Sequence, residues 1–312
     1  MSFNLTNLTE YVDEQKNDLI RKSFLEPRTM DLVTIQPGVK FKETINILDT
    51  DVAFQTGHCS FAADGSVVFS QRELEVSELR INEEYCMADL NKFYLQKSLN
   101  PGSWNESMGE LEGSFAEAKS EKIRQAIEIA LWQGDVSTGT GNNAFFDGYI
   151  SKIDASGSAI DGNVDGVTVS TGITKSNVIE IVRGIYSVLP DDELDLDVKL
   201  VMGYDIYRLY SEALIDANLF HYRGDEDQSG RMRMYIPGTN IEIVALKGLT
   251  NTDRMFTLTS LNYYVGTDLA GEEEQFEFWY SKDDQNTKFA AKFKMGTQVA
   301  FPDRIVEFTL VP

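Results

Sequence analysis

The sequence predicts an α+β protein, and three observations lead there. Helical and extended segments follow one another without the regular strand-helix-strand alternation of a parallel sheet. Hydrophobic content of 42% and aromatic content of 11% across 312 residues support packed cores. The last quarter of the chain is dominated by strand-spaced runs, while its middle holds the longest helical pattern.

Taken in order, the first element is a helix over residues 8–24, with Leu8, Tyr11, Val12, Leu19, Ile20 and Phe24 on one side and Pro27 ending it. After Pro37-Gly38 the pattern changes to extended runs at 39–48, 66–69 and 74–81, the last with a bulge or break near Ser77-Glu78. Between them lies a polar tip, 55–65, with Asp64-Gly65 as a turn. Residues 38–82 thus form a long two-stranded excursion, and an isolated hairpin is marginal in water, so it needs a surface to lie on. A short helix at 87–96 precedes the Pro101-Gly102 break.

Ser114 and Glu117 have capping-box spacing and open a long helix whose apolar side is Phe115, Ile123, Ala126, Ile127, Ala130 and Leu131, with Trp132 and Gln133 in its last turn. Gly134 stops it, and Asp135 leads into a Gly- and Asn-rich loop. Residues 154–172 are rich in Gly, Ser, Asp and Thr and suggest a domain border. A helix over 174–189, capped by Thr174 or Ser176, follows, then an exposed acidic loop at 191–197. A buried-type strand at 198–202 leads into a helix over 203–217. Strands are expected at 241–246, 255–259, 275–280, 287–293 and 297–301.

The chain holds 50 acidic and 28 basic residues, a formal net charge of −22. No Lys/Arg cluster is present, so dedicated nucleic-acid binding is not expected. Cys59 and Cys86 are too few for a disulfide framework and match no metal-ligand spacing, so both are read as free thiols, and no cofactor is expected. His58 and His221 are the only histidines, and neither sits in a nucleophile motif. Asp161 to Gly166 matches the first six positions of a calcium loop, but position twelve is Gly172 where a bidentate Glu is required. A solvated turn is the expectation there. No apolar run approaches a membrane span.

Certain segments in this order resemble the major capsid proteins of tailed bacteriophages, of Hong Kong-97-type fold. They are Ile127-Glu-Ile-Ala-Leu-Trp-Gln-Gly-Asp135, Phe146-Asp-Gly-Tyr149, Val201-Met-Gly-Tyr-Asp-Ile-Tyr207, Tyr235-Ile-Pro-Gly-Thr239 running into Ile241-Glu-Ile-Val244, Asn262 to Asp268, and Lys292-Phe-Lys-Met-Gly296 leading to Val299 and Pro302. The likeness spans about residues 30–312 and is nearest to phages of Bacteroidota, crAss-like ones included.

The resemblance implies an N-terminal arm (1–37), an extended loop (38–82) that lies across a neighbouring subunit, a peripheral domain (83–165 and 266–312) with a spine helix, and an axial domain (166–265). It implies a structural role without catalysis, in which the chain self-assembles into hexamers and pentamers of an icosahedral shell around double-stranded DNA. Assembly in a bacterial cytoplasm and residence in the virion go with that role. Portal, scaffolding and decoration proteins are the implied partners, with no membrane. Contacts between subunits are expected at the loop tip, Gly57, His58, Cys59, Asp64 and Gly65. The spine-helix core is expected at Phe115, Ile123, Ile127, Leu131 and Trp132. Some relatives join subunits through a lysine of this loop, yet no Lys lies between Lys42 and Lys92, so no such bond is expected. If Met1 is the translated start, a separate scaffolding protein is expected. A bacterial encapsulin enclosing enzyme cargo, or an acidic α+β hydrolase, are the competing readings.

Overall fold

The computed structural model describes residues 27–50, 54, 67–85, 109–219, 233–268, 276–281, 283 and 286–312, with the side chains of the long helix described from residue 119 onward. The predicted helices at 8–24 and 87–96 lie outside these residues. After a 3-10 turn (Arg28–Asp31) come β1 (Thr34–Pro37), β2 (Lys42–Thr50), β3 (Val67–Glu75) and β4 (Ser77–Tyr85). The long helix α1 (Gly109–Gln133) is followed by α2 (Tyr149–Ser156), β5 (Ile160–Asp161) and α3 (Val178–Val188). A helical turn (Asp191–Leu194), β6 (Val198–Gly203) and α4 (Tyr204–Asp216) come next. Then follow β7 (Met234–Tyr235), β8 (Glu242–Leu246), β9 (Met255–Thr259), β10 (Tyr263–Thr267), β11 (Phe276–Ser281), β12 (Asn286–Val299) and β13 (Val306–Phe308).

The strand β12 organises the first sheet. Its residues 287–295 pair antiparallel with β4, from Thr287 opposite Tyr85 to Met295 opposite Ser77. β11 and β10 pair with successive stretches of β12, and because Phe289 and Met295 already have β4 partners, both must lie on its other edge. β1 adds in parallel outside β10. The second sheet has the order β5-β13-β9-β6-β8-β7, with β6 and β8 parallel and β9 antiparallel to β6. β2 and β3 form a separate two-stranded hairpin, Lys42 opposite Glu75 through Thr50 opposite Val67.

Both faces of the second sheet are covered, and the alternation of its residues shows it. Val201, Val244, Leu246, Phe256 and Leu258 face one core, which also holds Ile127, Leu131 and Trp132 of α1, Tyr149 of α2 and Phe293 of β12. Their neighbours Leu200, Met202, Ile243 and Met255 face a second core under Ile181, Val182 and Ile185 of α3 and Ile206 and Tyr210 of α4. Among the described residues no helix is long and apolar enough to cross a membrane.

Several element boundaries differ from the sequence reading. α1 begins at Gly109, five residues before the expected cap at Ser114, because Glu110, Leu111 and Glu112 are helix formers that extend the hydrogen-bonded run past Gly113. α3 begins at Val178, since Thr174 donates its N–H to Asn177 Oδ1 and Asn177 Nδ2 donates to Gly172 O, closing a turn in place of the first helical turn. The acidic loop is partly helical, and Glu193 is buried there, accepting from Thr259 Oγ1 at 3.0 Å with Arg304 at 3.9 Å. The two strands expected at 287–293 and 297–301 are one, since Gly296 stays in the ladder opposite Gly266. The break expected near Ser77-Glu78 falls at Val76, where the chain leaves the hairpin for the first sheet.

Candidate functional site

Among the described residues, the β2-β3 hairpin forms a sheet of two strands only and carries large apolar side chains in solvent. One face carries Thr44, Asn46, Leu48, Phe69, Gln71 and Glu73, and Leu48 and Phe69 stand opposite each other at its outer part. Leu48 is 56% exposed and Phe69 79%, with Val68 and Phe54 also exposed. A cross-strand apolar pair left in water forgoes about 1.5–3 kcal/mol per large side chain that burial would supply. Such a pair adds little to the stability of the chain that carries it.

The root of the hairpin is fixed by a socket of two glycines. Gly266 of β10 and Gly296 of β12 are direct partners, so their missing side chains open the same face. The chain at Leu74, Glu75 and Val76 crosses that face. A Cβ at Gly296 would lie 1.9 Å from Glu75 O, and one at Gly266 would lie 2.8 Å from Val76 Cγ1. Leu74 and Val76 are buried there with Val39, and Val76 N donates to Phe41 O at 2.9 Å. Side chains secure the same stretch to the sheet, Arg72 Nε donating to Ala300 O at 2.9 Å and Gln298 Nε2 to Glu73 O at 2.5 Å.

The end of α1 is held by another close approach. Gly134 N donates to Ala130 O, and Gly148 N donates to Gly134 O at 2.8 Å. A Cβ at Gly134 would meet Phe146 O at 2.4 Å, and one at Gly148 would meet Trp132 O at 2.7 Å. Gly134 therefore ends the helix because backbone comes within touching distance, without needing a positive φ. Asp135 accepts from the N–H and hydroxyl of both Ser137 and Thr138, and these bonds hold its carboxyl well below the usual range. Asp147 Oδ1 accepts from Val136 N and Oδ2 faces Lys152 Nζ at 3.2 Å, so the Asp-Gly step of 147–148 closes the loop.

Trp132 joins the two sheets. Its ring centroid lies 5.2 Å from that of Tyr149 and 5.6 Å from that of Phe256 on β9. Its Nε1 donates to Thr29 Oγ1 at 2.8 Å, and that hydroxyl donates to Glu128 Oε1 at 2.6 Å, while Thr29 N donates to Glu128 Oε2 at 3.1 Å. Burial pushes the Glu128 carboxyl up, opposed by the Thr29 bonds. This network pins the N-terminal turn to the spine of the fold. No pattern in the sequence exposes it, because the acid and its threonine are 99 positions apart.

Of the predicted spine-core residues, Ile123, Ile127, Leu131 and Trp132 are buried in the first core, and the side chain of Phe115 lies outside the described residues. Gly57, His58, Cys59, Asp64 and Gly65 also lie outside them. Asp161 Oδ1 accepts from Asn163 N, and the Asn163 side chain bonds Val167 and Thr309, which gives that loop a hydrogen-bonded turn. Among the described residues no group of three His, Cys, Asp or Glu side chains is arranged to hold a metal.

Neither a family model nor a curated protein matches the sequence. Solved structures do match the fold. A subunit of the satellite phage P4 procapsid with its size determination protein superposes with a TM-score of 0.59 at 11% identity, covering 96% of this chain and 98% of that one. The capsid of Myoviridae phage XM1 gives 0.54 at 12% identity over 90% and 89% of the two chains. The virus-like particle from Pyrococcus furiosus gives 0.53 at 11% over 96% and 100%. The fold is the Hong Kong-97 type of capsid shell subunits. At these identities the likeness establishes the architecture alone.

Proposed function

We propose that this chain is the major capsid protein of a tailed phage, a non-enzymatic subunit that assembles as hexamers and pentamers into an icosahedral shell around double-stranded DNA. The observation that carries the reading is the socketed hairpin, which presents Leu48 and Phe69 to solvent on a subunit of capsid fold. A subunit that works alone has no use for a rigidly rooted arm with an uncovered apolar end. A shell subunit buries that end on its neighbour, so folding and assembly are linked by mass action.

On this reading, 1–37 form the arm, 38–82 the extended loop, 83–165 with 266–312 the peripheral domain, and 166–265 the axial domain. The kinship with capsid proteins of Bacteroidota phages, crAss-like ones included, rests on the sequence resemblance. Portal, scaffolding and decoration proteins would complete the particle, built in the host cytoplasm and retained in the virion. The net charge of −22 suits a shell along which DNA slides during packaging. The test is size-exclusion chromatography with light scattering and negative-stain microscopy of the expressed chain. Capsomers, shells or tubes are expected, and a stable monomer with hydrolytic activity would overturn the reading.

A further inference from the structure

Three carboxyls surround one guanidinium between α2, whose Tyr149 and Ile153 lie in the first core, and β13, whose Val306 and Phe308 lie in the second. Arg254 Nη1 stands 2.7 and 2.9 Å from the two oxygens of Asp154 on α2 and 3.0 Å from Glu307 Oε1 on β13. That nitrogen carries two hydrogens for three acceptor oxygens, so the two acids compete for it. The third acid, Asp161 on β5, is the direct partner of Glu307 in the parallel ladder. Partners in register share a face of the sheet, and like charges placed opposite each other push apart.

The other titratable groups packed around Glu307 do not relieve this crowding. β9 carries none, and Lys152 of α2 faces Asp147 instead. The phenols of Tyr149 on α2 and Tyr263 on β10 are buried and pushed well above their usual value, so they stay neutral. α3 packs on the opposite face, with Val306 and Phe308, and its Glu180 and Arg183 are exposed there. Burial raises the Glu307 carboxyl to about 7; Arg254 opposes the rise, and Asp154 and Asp161 add to it. A polar pocket of about 360 Å³, lined in part by Ser151, Asp154, Thr252 and Arg254, opens beside the cluster and gives water a path to it.

β5 is the element on which such a push acts most. It has two residues and forms the end of its sheet among the described residues. Ile160 N donates to Ile305 O and Gly162 N to Glu307 O, both at 2.8 Å, and these bonds hold it to β13. It also lies on the passage of the chain from α2 to α3. Farther along that passage Asn163 Nδ2 donates to Thr309 O and Val169 N to Val311 O, so the chain stays tethered when residues 160–162 lift.

We propose that Glu307 is a proton-operated latch on β5: protonated, it lets Asp161 lie against β13, and ionised, it opens the edge at residues 160–162 and slackens the passage from α2 to α3. The folded value lies above the ordinary 4.5, so support for the closed edge is complete below pH 4.5 and is lost as pH rises to about 7. Full release of Glu307 to water would weaken closure by up to about 300-fold across that window, and an opening confined to the edge should show at least about tenfold. Hydrogen exchange of the full chain from about pH 5 to about pH 8, expressed as protection factors, tests this at the Gly162 N–H. Val201 on β6, a strand paired along both edges, reports global unfolding in the same samples. Gly162 should be less protected than Val201 at every pH, lose protection up to about pH 7 and level off above it. Glu307→Gln should flatten that profile, and Asp161→Asn should make it shallower. Constant Gly162 protection in the wild-type chain, Gly162 exchange no faster than that of Val201, or an unchanged profile in Glu307→Gln would each overturn the proposal.

Discussion

Gly296→Ala probes the root of the arm. The added Cβ would stand 1.9 Å from Glu75 O and 3.0 Å from Val76 Cα, whereas Cβ contacts below 3.0 Å essentially never occur. The segment 74–76 must therefore lift by about 1 Å or more, and backbone cannot swing aside as a side chain can. Lifting it stretches the Val76 N to Phe41 O bond of 2.9 Å and opens Leu74 and Val76, now 0% and 4% exposed. Overpacking costs about 1–3 kcal/mol, and partial loss of two buried side chains adds a similar amount, so a loss of about 2–6 kcal/mol is expected. Urea unfolding gives the loss, and hydrogen exchange at Val76 locates it, with Asn46→Ala on the open hairpin face as a comparison. Stability within about 0.5 kcal/mol of wild type, with Val76 protection unchanged, would refute the socket.

Burial raises the Glu307 carboxyl to about 7 against the lowering effect of Arg254, 3.0 Å away, with Asp154 and Asp161 adding to the rise. Its folded value exceeds the unfolded 4.5, so its contribution is fully present below pH 4.5 and is lost as pH rises to about 7. The difference in urea midpoint between wild type and Glu307→Gln should thus change across that window, by an amount on the order of 3 kcal/mol in stability, and a flat difference would contradict it. Glu128→Ala should cost about 1–3 kcal/mol by orphaning the buried Thr29 donors, and hydrogen exchange at Thr29 should rise; unchanged exchange would count against the network. Leu48→Ser with Phe69→Ser should leave subunit stability nearly unchanged and suppress assembly, read by light scattering. Denaturing gels of particles should show no covalent ladder mapping to residues 43–91, which contain no lysine.

Much of the architecture was legible because the periodicity was strong. Met255–Thr259 and α4 fall where the spacing puts them, and the Gly134-Asp135 and Asp147-Gly148 steps meet as the chain leaves α1. What was not legible depended on distant partners. Gly296 looks like a strand breaker in sequence and is instead a place for Glu75 to cross. Glu193 looks like one more acid in an exposed run, but Thr259 and Arg304 hold it buried. Glu128 looks like a solvent-facing residue until Thr29 arrives from the N-terminal turn. The exposure of Leu48 and Phe69 could not be read either, since their alternation fits a strand covered on either face.

The most direct test of the central claim is a cryo-electron microscopy map of the full chain expressed alone or with its neighbouring genes. The account predicts closed shells or capsomers in which each β2-β3 hairpin leaves its own subunit beyond residue 300 and lies on the next one. A map or solution scattering profile showing only monomers, with Leu48 and Phe69 covered by their own chain, would contradict it.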